Sequence, residues 1–143
     1  MNPLATGDLL ERLSSEVREC SLCALSQTRK NAVAGEGPRS ADIMFIGEAP
    51  GRREDSVGKP FIGSAGRILD AALSKAGIDR SGVFITNVVK CRPPNNRRPT
   101  SQERLACRRH LENQMLILSP KIICILGSTA YHSLLGGKSI IAD

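Results

Sequence analysis

Four bulky apolar residues, Ile43-Met44-Phe45-Ile46, run straight into Gly47-Glu48-Ala49-Pro50-Gly51, a charged turn at Arg52-Arg53-Glu54-Asp55, and then Phe61-Ile62-Gly63-Ser64-Ala65-Gly66. A short apolar run bounded by Gly and Pro reads as a buried strand. The apolar positions Ile68, Leu69, Ala72, Leu73 and Ala76 that follow have helical spacing, with Ser64 as the expected cap and Gly77 as the stop. Strand, glycine-rich loop and helix in that order constrain the fold more than any other feature. In open α/β sheets, ligands bind beyond the carboxyl ends of strands, where loop amides and helix N-termini face the substrate.

The pattern recurs. Residues 83–89 read as a second strand, and Thr100 or Ser101 caps a helix running to about Leu118, with Glu103 in its favourable first turn. Residues 121–126 form a third strand, followed by a Gly127-Ser128 turn and a short helix to Leu135. Strands alternating with helices predict a three-layer α/β/α sandwich around a central, mostly parallel sheet. At 143 residues and 41% hydrophobic content, residues 1–143 are expected to form a single domain with one core. An amphipathic helix is expected before the sheet, with Leu9, Leu10, Leu13 and Val17 on one face and Cys20 and Cys23 at its C-terminal end.

The charge balance, 20 Lys and Arg against 14 Asp and Glu, favours a polyanionic partner without requiring one. No apolar run approaches the roughly 18 residues of a membrane span, and the N-terminus is polar and broken, so the expected location is the cytoplasm. Five cysteines in such a chain argue for ligation of a metal or cluster plus one spare thiol rather than for disulfides. Cys20-Ser-Leu-Cys23 is one pair, and Cys91 and Cys107 supply the second. Four thiolates suit a [4Fe-4S] cluster or a structural zinc ion, and the ligand set alone does not separate the two. Cys124, between Ile123 and Ile125, reads as a small buried hydrophobe.

With the four cysteines, the 47–66 segment and Ile85-Thr86-Asn87-Val88-Val89-Lys90-Cys91-Arg92-Pro93-Pro94, the chain resembles the iron–sulfur (family 4) uracil-DNA glycosylases. The resemblance implies hydrolysis of the N-glycosidic bond of deoxyuridine in DNA, and it favours a [4Fe-4S] cluster over zinc at Cys20, Cys23, Cys91 and Cys107. It also implies roles for individual residues. Such an enzyme extrudes the nucleotide, holds the base, and stabilises charge on the departing pyrimidine. Glu48 would orient the attacking water, and Asn87 would pair with the O4 acceptor and N3 donor of uracil, a pattern cytosine reverses. Phe61 would stack on the flipped base, and the amides of Gly47, Glu48 and Ala49 would contact it. Ser64, Arg92, Arg97 and Arg98, together with Lys90, would follow the DNA backbone.

Family members carry a C-terminal His-Pro-Ser segment that supplies a histidine to the base. Neither His110 nor His132 precedes Pro-Ser, and both read as ordinary helix residues. The expectation is therefore a C-terminally incomplete domain that lacks the family's last strand, leaves a sheet edge exposed and has reduced activity. Residues 138–143 read as the start of another β element. Partners expected on this reading are uracil-containing DNA and replication or repair proteins, with the chain a monomer and no membrane involved. The competing class is a non-catalytic iron–sulfur module that binds DNA or a replication partner through its basic loop. The Glu48, Phe61 and Asn87 set argues against it, since binding alone needs no base pocket.

Overall fold

The computed structural model describes residues 6–136, so the β element expected at 138–143 lies outside the described residues. The elements are α1 (Thr6–Arg18), β1 (Ile43–Gly47), α2 (Arg52–Val57), α3 (Ser64–Lys75), β2 (Phe84–Asn87), α4 (Ser101–Leu118), β3 (Ile122–Ile125) and α5 (Ser128–Leu135). The strands form one parallel sheet in the order β2-β1-β3, with Gly47 opposite Asn87 and Ile46 opposite Ile125. An α/β fold is therefore present, as the alternating pattern predicts.

Alternation along β1 sorts its side chains between two cores. Met44 and Ile46 pack with Phe84, Val88, Leu111 and Leu118 among α1, α4 and α5. Phe45 points the other way and packs with Ile85, Leu69 and Leu73 against α3. The outer edge of β2 is covered by an antiparallel bridge between Glu36 and Ile85, whereas Ile122 and Ile123 of β3 are 53% and 40% exposed. Among the described residues β3 is the outer strand on that side of the sheet, and the segment that follows α5 lies outside them.

Several local expectations shift. The 52–55 turn is the first part of a helix, because Glu54 at its third position accepts the Gly51 amide and closes the first turn. Gly63, not Ser64, occupies the cap position of α3, since the Gly63 amide is held by Glu54 and Ser64 starts the helix exposed. Ile68 is 72% exposed, and only Leu69 and Leu73 of the expected apolar face reach the core. The 83–89 strand shortens to Phe84–Asn87 because its partner β1 ends at Gly47. Thr100 does cap α4, exchanging bonds with Glu103 in a capping box.

Candidate functional site

Parallel pairing brings the carboxyl ends of β1 and β2 together, so the loops leaving Gly47 and Asn87 face one another. An open cleft lies there, lined by Ala49, Arg52, Arg53, Phe61, Ser64 and Asn87, with Asn96 reaching it from the loop after β2. Gly47 forms part of this junction. A Cβ at that position would stand 2.5 Å from the Phe61 ring and 2.7 Å from Asn87 Oδ1, so only glycine lets the three residues converge. Asn87 itself is 2% exposed.

Phe61 has φ +50, a left-handed conformation unusual for a bulky residue, and its surroundings hold it there. Glu54 accepts the amides of Ile62 (2.9 Å) and Gly63 (2.8 Å) on one side of it. Arg80 donates to the carbonyls of Phe61 (2.9 Å) and Pro60 (2.8 Å) on the other, and is itself anchored by Asp70 at 2.6 Å. A Cβ on Gly66 would overlap the Phe61 carbonyl, so α3 approaches this loop as closely as glycine allows. Burial works against the Glu54 charge, but its own amide and those of Gly63, Ile62 and Gly51 together hold its carboxyl below the ordinary range.

Glu48 is half-buried and its Oε2 accepts the Thr129 hydroxyl at the start of α5. It does not line the cleft, although its neighbour Ala49 does. Of the basic residues, Arg92 donates to Asn96 Oδ1 at 2.7 Å. Arg97 makes a two-pronged pair with Glu103, at 2.8 Å to each oxygen, so its charge is matched within the protein. Arg98 is exposed. Lys90 is a correction to the expectation that it follows the DNA backbone, since it is 1% exposed and cannot reach a backbone in solvent. Its Nζ donates to Thr86 Oγ1 (2.6 Å), the Asn87 carbonyl (2.6 Å) and Gln114 Oε1 (2.7 Å). Burial lowers its pKa from 10.5 to about 7.

The four selected cysteines meet. Cys20 and Cys23 follow α1, Cys91 follows β2 and Cys107 stands on α4, yet all line one recess with Val17, Leu25, Val89 and His110. N–H groups point at three of the sulfurs: Leu22 to Cys20 (3.5 Å), Arg29 to Cys91 (3.2 Å) and Lys90 to Cys107 (3.3 Å). Burial raises the Cys91 pKa and pushes Cys107 up to about 11, so thiolates there require a compensating positive charge. Among the described residues no group of three or more His, Cys, Asp or Glu side chains is drawn close enough to hold a metal ion. Cys124 is apart from this set and packs against the α3-side core, half-buried rather than buried as expected, because β3 lies at the edge of the sheet.

Asn96, Arg80 and Thr129 were not legible as site residues. Asn95 and Asn96 both adopt left-handed φ after Pro94, which Asn tolerates, so the Pro-Asn-Asn turn was visible but its direction was not. Arg80 and Thr129 act through contacts across the fold, and nothing local marks them. A separate apolar groove between α4 and α5, lined by Leu105, Leu111, Met115 and Leu134, holds none of the candidate residues.

Comparison with known proteins gives a consistent picture. The model of the uracil DNA glycosylase superfamily matches residues 34–142. The type-4 uracil-DNA glycosylase of Thermotoga maritima is 46% identical over 133 residues, covering 93% of this chain and 69% of that protein. That of Sulfurisphaera tokodaii is 53% identical over 127 residues, covering 87% and 58%. A type-5 uracil-DNA glycosylase from Thermus thermophilus is more distant, at 34% over 118 residues, covering 72% and 53%. The chain thus spans between 58% and 69% of the length of the two type-4 relatives.

Proposed function

The chain belongs to the uracil DNA glycosylase superfamily, in its type-4 branch, and from that premise we propose that it binds deoxyuridine in DNA and hydrolyses the N-glycosidic bond to release uracil. The observation that carries this reading is the convergence of Gly47, Phe61 and Asn87 at one cleft, with Phe61 held in a strained backbone conformation. Strain of this kind persists only where surrounding structure over-determines it, and it concentrates at ligand sites. In the proposed complex Phe61 stacks on the extruded base, and Asn87 offers its amide to O4 and its carbonyl to N3–H. Amides at 47–49 contact the base, and Ser64 with Arg92 and Arg98 contacts phosphates. Glu48, steadied by Thr129 on one oxygen, keeps the other for an attacking water.

Cys20, Cys23, Cys91 and Cys107 are proposed to hold a [4Fe-4S] cluster. When bound, its role is structural: it ties the segment after α1 to the loop after β2 and to α4. The four cysteines sharing one apolar recess, and the N–H donors aimed at their sulfurs, support this assignment. No described helix is long and apolar enough to cross a membrane. We read residues 1–143 as one domain, acting as a cytoplasmic monomer on DNA alongside replication or repair proteins.

The test is uracil release from a single-stranded oligonucleotide bearing one deoxyuridine, paired with anisotropy binding of the uncleavable 2′-fluorodeoxyuridine analogue. Release from deoxyuridine and not from cytosine or thymine positions is the expected result. A folded, iron-loaded protein that releases nothing and binds analogue and thymidine DNA equally overturns the reading.

A further inference from the structure

His110 stands on α4 one turn beyond Cys107 and is 4% exposed. It lines the same recess as Cys20, Cys23, Cys91 and Cys107, and neither Nδ1 nor Nε2 has a hydrogen-bond partner among the described residues. Buried ring nitrogens are seldom left in that state, because their interaction with water is given up on folding and must be replaced. The other polar groups around the recess have partners: Glu103 is bound by Arg97 and Thr100, Lys90 Nζ has three acceptors, and Arg29 meets a sulfur and the Arg18 carbonyl. His110 is the group in the lining whose donor has nowhere to go.

We infer that His110 donates an N–H hydrogen bond to the iron–sulfur group held by the four cysteines, as a binding residue that steadies the group and tunes its electron affinity. The inference rests on the cluster assignment above. A neutral imidazole carries one N–H, and a thiolate or sulfide is the acceptor that the recess supplies once filled. It would add to the N–H groups of Leu22, Arg29 and Lys90, which already point at sulfurs. Hydrogen bonds to the sulfurs withdraw negative charge from the cluster, favour its reduced form and slow its loss.

The experiment uses the whole purified protein prepared without oxygen. His110→Phe keeps a ring of similar volume and removes the donor, whereas His110→Gln retains an N–H. His110→Phe is expected to lower the midpoint potential and to release iron to a chelator severalfold faster, with His110→Gln returning both towards the wild-type values. Equal shifts in the two variants, or none in either, overturn the inference. A measurement on the unmodified chain is independent of how either variant folds. With ¹⁵N-histidine labelling, pulsed electron paramagnetic resonance of the reduced cluster should show a histidine nitrogen coupling. Only two histidines are present, and His132 lines the separate α4–α5 groove. Iron present with no such coupling overturns the inference and leaves the cluster assignment standing. Protein that carries no iron overturns both.

Discussion

Asn87 closes β2 with its side chain beside Gly47 and Phe61 and its carbonyl in the grip of Lys90. One atom of the residue therefore faces the cleft while another is braced from behind. Asn87→Asp removes the amide that would donate to O4, and a buried mismatch of this kind costs about 1–3 kcal/mol. Single-turnover uracil release by the folded variant should fall roughly ten- to a hundredfold. Unchanged release by a folded variant would remove Asn87 from the site. The brace makes a second prediction. Lys90→Met leaves Thr86 Oγ1, Gln114 Oε1 and the Asn87 carbonyl without their shared donor. Chemical denaturation should register a loss of about 1–3 kcal/mol. The preference for 2′-fluorodeoxyuridine over thymidine DNA should shrink in the same variant, because the Asn87 backbone loses its anchor.

At the scale of elements, the loop carrying Phe61 is clasped by two charged side chains from different places, Glu54 from α2 and Arg80 from the turn before β2. The start of α4 shows the same economy: Glu103 closes the capping box with Thr100 and also receives both prongs of Arg97. The Arg97 guanidinium, with the Thr100 amide, brings the Glu103 carboxyl from its ordinary 4.5 down to about 2. A carboxyl with a depressed folded pKa stabilises the protein fully above the unfolded value and loses that contribution as pH falls through the folded one. Glu103→Gln should therefore be less stable than the parent above about pH 4.5. The gap should close between about pH 4.5 and pH 2. Thermal midpoints recorded across that range check it, and a gap that stays constant with pH would mean that the pair contributes no charge-dependent stability.

Across the whole molecule, the cysteine recess joins parts of the chain that share no strand. The segment after α1, the loop after β2 and the middle of α4 meet there and in the apolar cluster of Leu13, Val17, Leu25, Ala34 and Cys91. On the cluster assignment proposed above, filling the recess would be coupled to folding, because metal binding to sites of this kind appears as folding free energy. Protein purified without oxygen is expected to be brown, with broad absorption near about 400 nm and bound iron and sulfide. Cys107→Ser should lose the colour and unfold at a markedly lower temperature, whereas Cys124→Ala should keep it and cost about 1 kcal/mol or less in packing. Colourless protein holding one zinc per chain would replace the cluster assignment, and loss of iron in Cys124→Ala would show that the wrong four were chosen.

Local chemistry determined a good deal before any contact was known. Apolar runs bounded by Gly and Pro specified the three strands, and Thr100 and Glu103 specified the start of α4, because each of these signals acts over a few residues. The Gly47 and Asn87 positions were legible because strand ends in a parallel sheet share one edge, and Phe61 because it is the one phenylalanine outside an apolar strand run. Tertiary structure decided the fate of the charges. Lys90, Arg97 and Glu54 carry the same composition signal as solvent-facing residues, but each is committed to an internal partner, from three to twenty-four residues away. Arg80, Thr129 and the two bare nitrogens of His110 likewise take their meaning from neighbours that only the folded chain supplies. Periodicity reports which face of an element is apolar; whether a buried polar atom finds a partner depends on elements remote in sequence.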